Sequence, residues 1–235
     1  MTSLADQDER RLGGAASLLV RQKRDHVRLD GLLTGLTGLA ADRQDAQLRR
    51  IYRMVFRHAF AEEAVLWPVL RRVLPDGDAL TLQVEQEHQE VNELVTALEG
   101  MPADAPDRPA TVARWVAVLR ADVRDEEDAL LPRLQVAVPV RRSRVLGVLW
   151  ESVRRVAPSR AHPVVSRRPP GNVPAAVPLS VVDALRDVVD LTLHHRPPVG
   201  AAALRSISRG LERGAHRIQR LPLLRRGEHR SASVR

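Results

Sequence analysis

The 235-residue chain contains no cysteine. That absence excludes disulfides, thiolate nucleophiles, cysteine-ligated zinc and iron–sulfur clusters, so any metal must be held by His, Asp or Glu. Lysine is nearly missing too. Lys23 is the one lysine among 37 basic residues, an imbalance that reads as genomic codon bias and carries little chemical information. Aromatic residues make up 3%, and none follows Trp150, so the C-terminal part has no platform for base stacking. There is no run of 18 apolar residues, so no transmembrane helix is expected. The start, MTSLADQDERRL, lacks the basic and apolar regions of a secretory signal. The expectation is a soluble, cytoplasmic protein. With 44% apolar residues a packed core is within reach.

Charge is present but unevenly placed. Residues 1–139 carry 18 basic and 23 acidic side chains, net −5, whereas residues 140–235 carry 19 arginines and 6 acids, net +13. Ten of the 16 prolines also follow Val138. The expected organisation is a globular domain over 1–139 and a basic, proline-rich extension over 140–235, partly disordered and holding one or two amphipathic helices.

Apolar spacing in the first part predicts four helices, at about 15–39, 45–73, 80–98 and 109–138, separated by short loops rich in Pro and Gly. Helices of about 30 Å or more with short connections predict an all-α, up-down-up-down four-helix bundle.

Each predicted helix carries a polar exception on its apolar stripe. The second places Leu48, Ile51 and Val55 before His58 and Glu62, then Val65, Val69 and Val73. The fourth places Val112, Trp115 and Leu119 before Asp122 and Glu126, then Leu130 and Leu134. His88 interrupts the third stripe, and His26 shares a face with Leu19, Leu29, Leu33 and Leu36 on the first. The exceptions also repeat. The segment from His58 aligns with that from Asp122, offset 64, and the segment from His26 with that from His88, offset 62. Two copies of one helix hairpin, related by a pseudo-two-fold axis, would bring all six side chains to one place in the core.

A buried carboxylate costs several kcal/mol unless it is paired, protonated or bound to a cation. No Lys or Arg lies on these stripes. His-x-x-x-Glu puts both side chains on one helix face a turn apart. Three imidazoles and three carboxylates make a mixed N/O donor set suited to iron or manganese, and two Glu on symmetry-related helices can bridge two ions.

The pattern His26, His58-x-x-x-Glu62, His88, Asp122-x-x-x-Glu126, with Glu63 and Glu127 doubling the glutamates and Pro68 and Pro132 trailing them, resembles the bacterial hemerythrin HHE cation-binding proteins. The resemblance covers about residues 15–138. It implies a hemerythrin-like bundle with a non-haem di-iron centre. The implied metal ligands are His26, His58, Glu62, His88 and Glu126, with Glu62 and Glu126 as bridges. The family usually has His where this chain has Asp122. Either Asp122 ligates with a shorter reach and more negative charge, or the adjacent metal is lost, leaving a mononuclear or weaker Fe or Mn site. Asn92 stands where oxygen carriers have a second His, which argues against that subtype. By resemblance the small ligands are O2, NO or peroxide, or the protein senses iron or redox state. Some relatives decompose peroxide, so a catalase-like activity falls within what the resemblance implies. Actinobacterial relatives also carry a tail like His162-Pro163, Pro169-Pro170-Gly171-Asn172 and the stretch from Leu179, so a weaker resemblance extends to about Asp190.

Plainer readings stand beside these. Glu63 and Glu127 lie about 100° round the helix from the site and are expected to be solvated or paired with Arg. Tyr52, Phe56, Trp67, Trp115 and Trp150 are expected to pack the core, with an aromatic near the metals able to gate oxygen. In the extension, residues 139–156 suggest a fifth helix and 157–178 an extended linker. Leu179, Val182, Leu185, Val189 and Leu193 form an amphipathic face for the bundle, a second subunit or a membrane surface. The Arg-rich end would attract nucleic acid or anionic lipid, although it holds no DNA-reading motif. His194, His195 and His216 lack the carboxylate spacing of a second metal site. The alternative function is a scaffold with a degenerate metal site that engages acidic partners through this tail.

Overall fold

The computed structural model describes residues 1–36, 38–39, 41–166, 168, 170–195 and 200–227, and it is helical, with no strand among them. Four helical rods make the bundle. The first is α1 (Leu18–Thr34) and the third is α4 (Gly77–Gly100). The second is α2 (Ala41–Ala61), which runs through a π-helical turn (Glu62–Leu66) into α3 (Trp67–Val73). The fourth is α5 (Arg108–Asp125), continued through a second π turn (Glu126–Leu130) into α6 (Leu131–Ala137). Neighbours in sequence pack side by side, and α1 closes the bundle against α5.

The two π turns have a local cause. Pro68 and Pro132 have no N–H to donate, and their rings crowd the carbonyl one turn back. The chain inserts one residue, and Trp67 and Leu131 donate five residues back, to the carbonyls of Glu62 and Glu126. Both paired glutamates therefore begin a widened turn.

Along the bundle axis the core divides in two. One apolar slab contains Leu18, Leu19, Leu66, Trp67, Leu70, Leu131, Leu134 and Trp150; the other contains Leu29, Leu33, Ile51, Tyr52, Val91, Val95, Trp115 and Leu119. The polar exceptions form the layer between them, so water is kept out from both ends.

The predicted first helix is shorter than its apolar pattern. It starts after Ser17 and stops at Gly35, and Gly38 adopts a left-handed conformation (φ +77°) that ends any continuation. Residues 1–17 lie across the bundle instead of trailing from it. Leu4 and Leu12 are buried, and the Leu4 N–H donates to the Glu127 carbonyl at 2.8 Å.

Beyond the bundle, α7 (Val140–Val156) packs across α1 and α2. Gly147 sits where a Cβ would be 2.2 Å from the Ala16 carbonyl oxygen, so only glycine permits this approach. The extended linker expected over 157–178 gives way to helix at Asn172, where α8 (Asn172–His195) begins. Pro174 falls in its first turn, where a missing N–H leaves no bond unmade, and Pro178 lies inside the helix beside Ala175 and Leu179, which are fully buried. The remaining connection is fastened, not free. Asp183 accepts the Ser159 and Arg160 N–H groups at 2.8 and 3.1 Å and contacts His162 Nε2 at 3.1 Å, while Arg160 pairs with Asp187 and Asp190. The helix α9 (Ala201–Gln219) packs antiparallel on α8, and a 3-10 turn (Pro222–Arg225) follows. Residues 228–235, with Arg230 and Arg235 of the Arg-rich end, lie outside the described residues, as does Pro169 of the Pro-Pro-Gly-Asn motif.

Candidate metal centre

All six predicted ligands meet in the polar layer. His58 and Glu62 come from the end of α2 and the first π turn, and their Nε2 and Oε1 atoms are 3.0 Å apart. His26, from α1, brings Nε2 to 3.2 Å from Glu126 Oε2. From α4, His88 Nε2 lies 3.6 Å from Asp122 Oδ1, 3.8 Å from Glu62 Oε2 and 4.0 Å from Glu126 Oε1. The donors fall into two groups within metal-sharing distance: His26, His58, Glu62 and Glu126 in one, and His88, Asp122 and Glu126 in the other. Glu126 belongs to both, and Glu62 also faces His88.

Each imidazole is held at its far nitrogen by another carboxylate. Glu127 Oε1 is 3.0 Å from His26 Nδ1, Asp25 Oδ2 is 3.3 Å from His58 Nδ1, and Glu63 Oε1 is 2.9 Å from His88 Nδ1. This arrangement fixes the ring and the tautomer so that Nε2 points to the centre. It also refines the expectation for Glu63 and Glu127: both turn inward onto an imidazole, because the π turn that starts one residue earlier replaces the 100° step of an α-helix. Glu87 occupies the position on α4 that Asp25 holds on α1. It lies against Asp122, as Asp25 lies against His58, so the pseudo-two-fold repeat extends to the outer ring.

The electrostatics ask for positive charge. Burial alone would draw the imidazoles down, yet Glu126 and Glu127 push His26 up to about 9. Asp122 and Glu63 push His88 up to about 10, against its burial, and Glu62 and Asp25 likewise raise His58. Burial first, and repulsion from Glu126 second, raises Glu62; burial raises Asp122 well above the usual carboxylate range, offset in part by His88. Despite burial, the close approach and positive charge of His26 hold Glu126 below it. Without cations the layer is neutral only by retaining protons. Five buried atoms, His26 Nε2, both Glu62 carboxylate oxygens, Asp122 Oδ1 and Glu126 Oε1, lack a hydrogen-bond partner there. Orphaned donors and acceptors all aimed at one point are the expected signature of a cation site, and this N/O donor set fits iron or manganese.

Aromatic rings frame the layer. Trp150 of α7 meets His58 edge-on at 5.3 Å, Trp67 stacks on His88 at 6.2 Å, and Tyr52 packs edge-on against Trp115 at 5.1 Å. Arg154 caps Trp150 and pairs with Asp25 at 3.5 Å. Beside the ligands a cavity of about 20 Å³ is lined by Leu29, Val55, Phe56 and Val91 as well as the imidazoles. Asn92 borders it and accepts the His162 N–H at 3.2 Å, tying the C-terminal connection to the turn beyond His88. No metal-binding cluster involves His216 among the described residues.

The family described as Hemerythrin HHE cation binding domain matches residues 17–134. An uncharacterized hemerythrin-like protein of Schizosaccharomyces pombe is 24% identical over 135 residues, which are 57% of this chain and 66% of that protein. The chain thus spans just under two thirds of that relative. No solved structure matches the chain significantly.

Proposed function

The chain belongs to the hemerythrin HHE cation-binding domain family, and on that premise we propose that it holds a non-haem di-iron centre that interacts with O2, NO or peroxide. One observation carries the reading: two groups of buried donors share Glu126 beside a small, apolar-walled cavity. His26, His58 and Glu62 would hold one ion, His88 and Asp122 the other, with Glu126 and Glu62 spanning both. Bound iron would supply an open coordination position and one-electron chemistry. The chain's own residues do the rest. Glu127, Asp25 and Glu63 orient the imidazoles, and the two apolar slabs exclude bulk water. A cavity of about 20 Å³ admits a water-sized or diatomic ligand and little else. The proposed setting is the cytoplasm; no helix among the described residues is long and apolar enough to cross a membrane.

The test is metal identity and stoichiometry on protein purified after growth in iron-supplemented medium, with optical spectra before and after exposure to O2, NO and peroxide. Two irons per chain and ligand-dependent charge-transfer bands are expected. Sub-stoichiometric metal and a featureless spectrum would remove the proposal.

A second reading rests on α9, whose solvent side presents Arg205, Arg209, Arg213, Arg217 and Arg220 against one acid, Glu212. Such a face attracts a polyanion such as nucleic acid. Substituting Arg209, Arg213 and Arg217 by Gln should then abolish salt-dependent binding to duplex DNA or RNA, with metal content unchanged. Absence of binding by the native chain at low salt sinks this reading.

A further inference from the structure

The helix α8 is oriented with its charges inward. Asp183 is buried against the connection from α7, Asp187 and Asp190 pair with Arg160, and Arg186 faces Glu212. What remains outside is apolar. From Val173 to Leu191 every exposed position of α8 is Val, Pro, Ala or Leu, and Val173, Val177, Val181, Leu185, Val188 and Leu191 are each 50–65% exposed. A run of about 27 Å of uncovered aliphatic side chains is not the scatter of single apolar residues that a monomer tolerates.

Two features identify what covers it. First, Val177, Val181, Ala184, Val188 and Leu191 follow alternating steps of four and three, the spacing of a helix-pairing seam. Second, the seam is self-complementary. Val177 and Leu191 lie seven residues to either side of Ala184, and Val181 and Val188 lie three and four residues to either side. The smallest side chain thus stands at the middle, where two axes must approach most closely. A lipid surface fits less well, since interfacial helices flank their apolar face with Lys or Arg and favour Trp and Phe. This stripe has no aromatic, and of the partly exposed charges of α8 two are acids, Asp187 and Asp190, while the one base, Arg186, faces Glu212 of α9.

We propose that two copies of this chain pair through α8, antiparallel, about a two-fold axis at Ala184. Val177 of one copy then packs on the partner's Leu191, and Val181 on the partner's Val188, each contact occurring twice as two-fold symmetry requires. The stripe offers on the order of 500 Å² per copy, so a surrounding rim brings it to the ~800 Å² per partner of a standard interface. Val156 of α7, exposed where Ser180 donates to its carbonyl oxygen at 2.6 Å, adjoins the stripe and belongs to that rim.

The missing cysteines make the test direct. The full chain should sediment as a dimer at micromolar concentration, and the double variant Val181→Glu, Val188→Glu as a monomer with unchanged helicity and metal content. Ala184→Cys should cross-link to itself with a short bismaleimide. Val177→Cys alone should not, but mixed with Leu191→Cys it should yield the heterodimer. A native chain that stays monomeric, including one that instead binds phosphatidylserine vesicles, overturns the proposal. So does cross-linking of Val177→Cys to itself, which would signal a parallel pair, or a dimer that survives the double variant.

Discussion

Glu63 receives His88 Nδ1 at 2.9 Å, and this contact sends the opposite nitrogen of the ring toward Asp122, Glu62 and Glu126. The same relation joins Glu127 to His26, so two of the three imidazoles are aimed by the residue that follows Glu62 or Glu126. The doubled glutamates therefore have two jobs: the first of each pair faces the centre of the polar layer, and the second holds the histidine contributed by the other hairpin.

Replacing Glu63 by Gln keeps its shape and removes the charge behind His88. Affinity for a divalent metal should fall about 10–100-fold, with the circular dichroism spectrum unchanged. Competition against a chelator of known affinity measures it, and equal affinities for both proteins would mean that the contact is structural only.

Asp122 decides whether the His88 half of the centre holds an ion. Asp122→Ala leaves that half with His88 and shared carboxylates, so the metal content should drop from two per chain to one. Asp122→His restores the residue usual in the family and should retain two. Elemental analysis of the three proteins separates these outcomes. A native chain already at one metal, rising to two with His, would show instead that Asp122 has weakened the site.

Gly147→Ala should loosen α7. A Cβ there would meet backbone atoms of Ala16, Ser17 and Leu18 at 2.2–2.9 Å, and backbone cannot step aside as a flexible side chain can. The expected loss is about 1–3 kcal/mol, or on the order of 5 °C in Tm. Because Trp150 lies one turn further on and touches His58, the metal spectrum should shift as well. Gly214→Ala is the control: nothing lies within 4 Å of its Cβ, and this mid-helix change should stabilise by about 0.5–1 kcal/mol.

Acid should release the connection between α7 and α8 before the bundle melts. Burial pushes the Asp183 carboxyl up, but His162 and the backbone N–H groups hold it below its ordinary 3.8. A depressed carboxyl stabilises fully above its unfolded-state pKa, and that contribution is lost as pH falls through the folded value. Below about pH 4, residues 157–171 should become cleavable by an acid-active protease while helicity persists. Asp183→Asn should reproduce the effect at neutral pH with a neutral-pH protease; equal resistance of variant and native chain would show that the clamp lies elsewhere.

The convergence of the six side chains was legible because a polar residue on an apolar helix stripe violates burial unless something compensates, and six violations at repeated offsets leave little room for accident. Asp25, Glu87, Glu63 and Glu127 were not read as part of the site. Asp25 and Glu87 immediately precede His26 and His88, just as Glu63 and Glu127 immediately follow Glu62 and Glu126, so the doubled pattern held the signal. An ideal 100° step, however, places the second glutamate of each pair off the site. Only the π turns, induced by Pro68 and Pro132, rotate them in. The apolar face predicted on α8 from Leu179 packs inward at Leu179 and Val182, against Ala215 and Ile218 of α9, while Leu185 is exposed. Asp183 can be buried at no net loss once backbone N–H groups converge on it, and its burial turns a different row of valines outward.

Sequence by itself determined the helical class, the division between an acidic bundle and a basic extension, and, through the absence of cysteine, a metal chemistry confined to His and carboxylates. These follow from local periodicity and residue chemistry, which need no knowledge of neighbours. The tertiary structure decided which nitrogen of each histidine faces the centre, that Trp150 from beyond the predicted boundary packs on His58, and that the extension is clamped to the bundle. Those features depend on contacts between residues up to about a hundred positions apart, such as His26 with Glu127, and on the one-residue shift of each π turn. No spacing rule along the chain can supply the angle at which such partners meet.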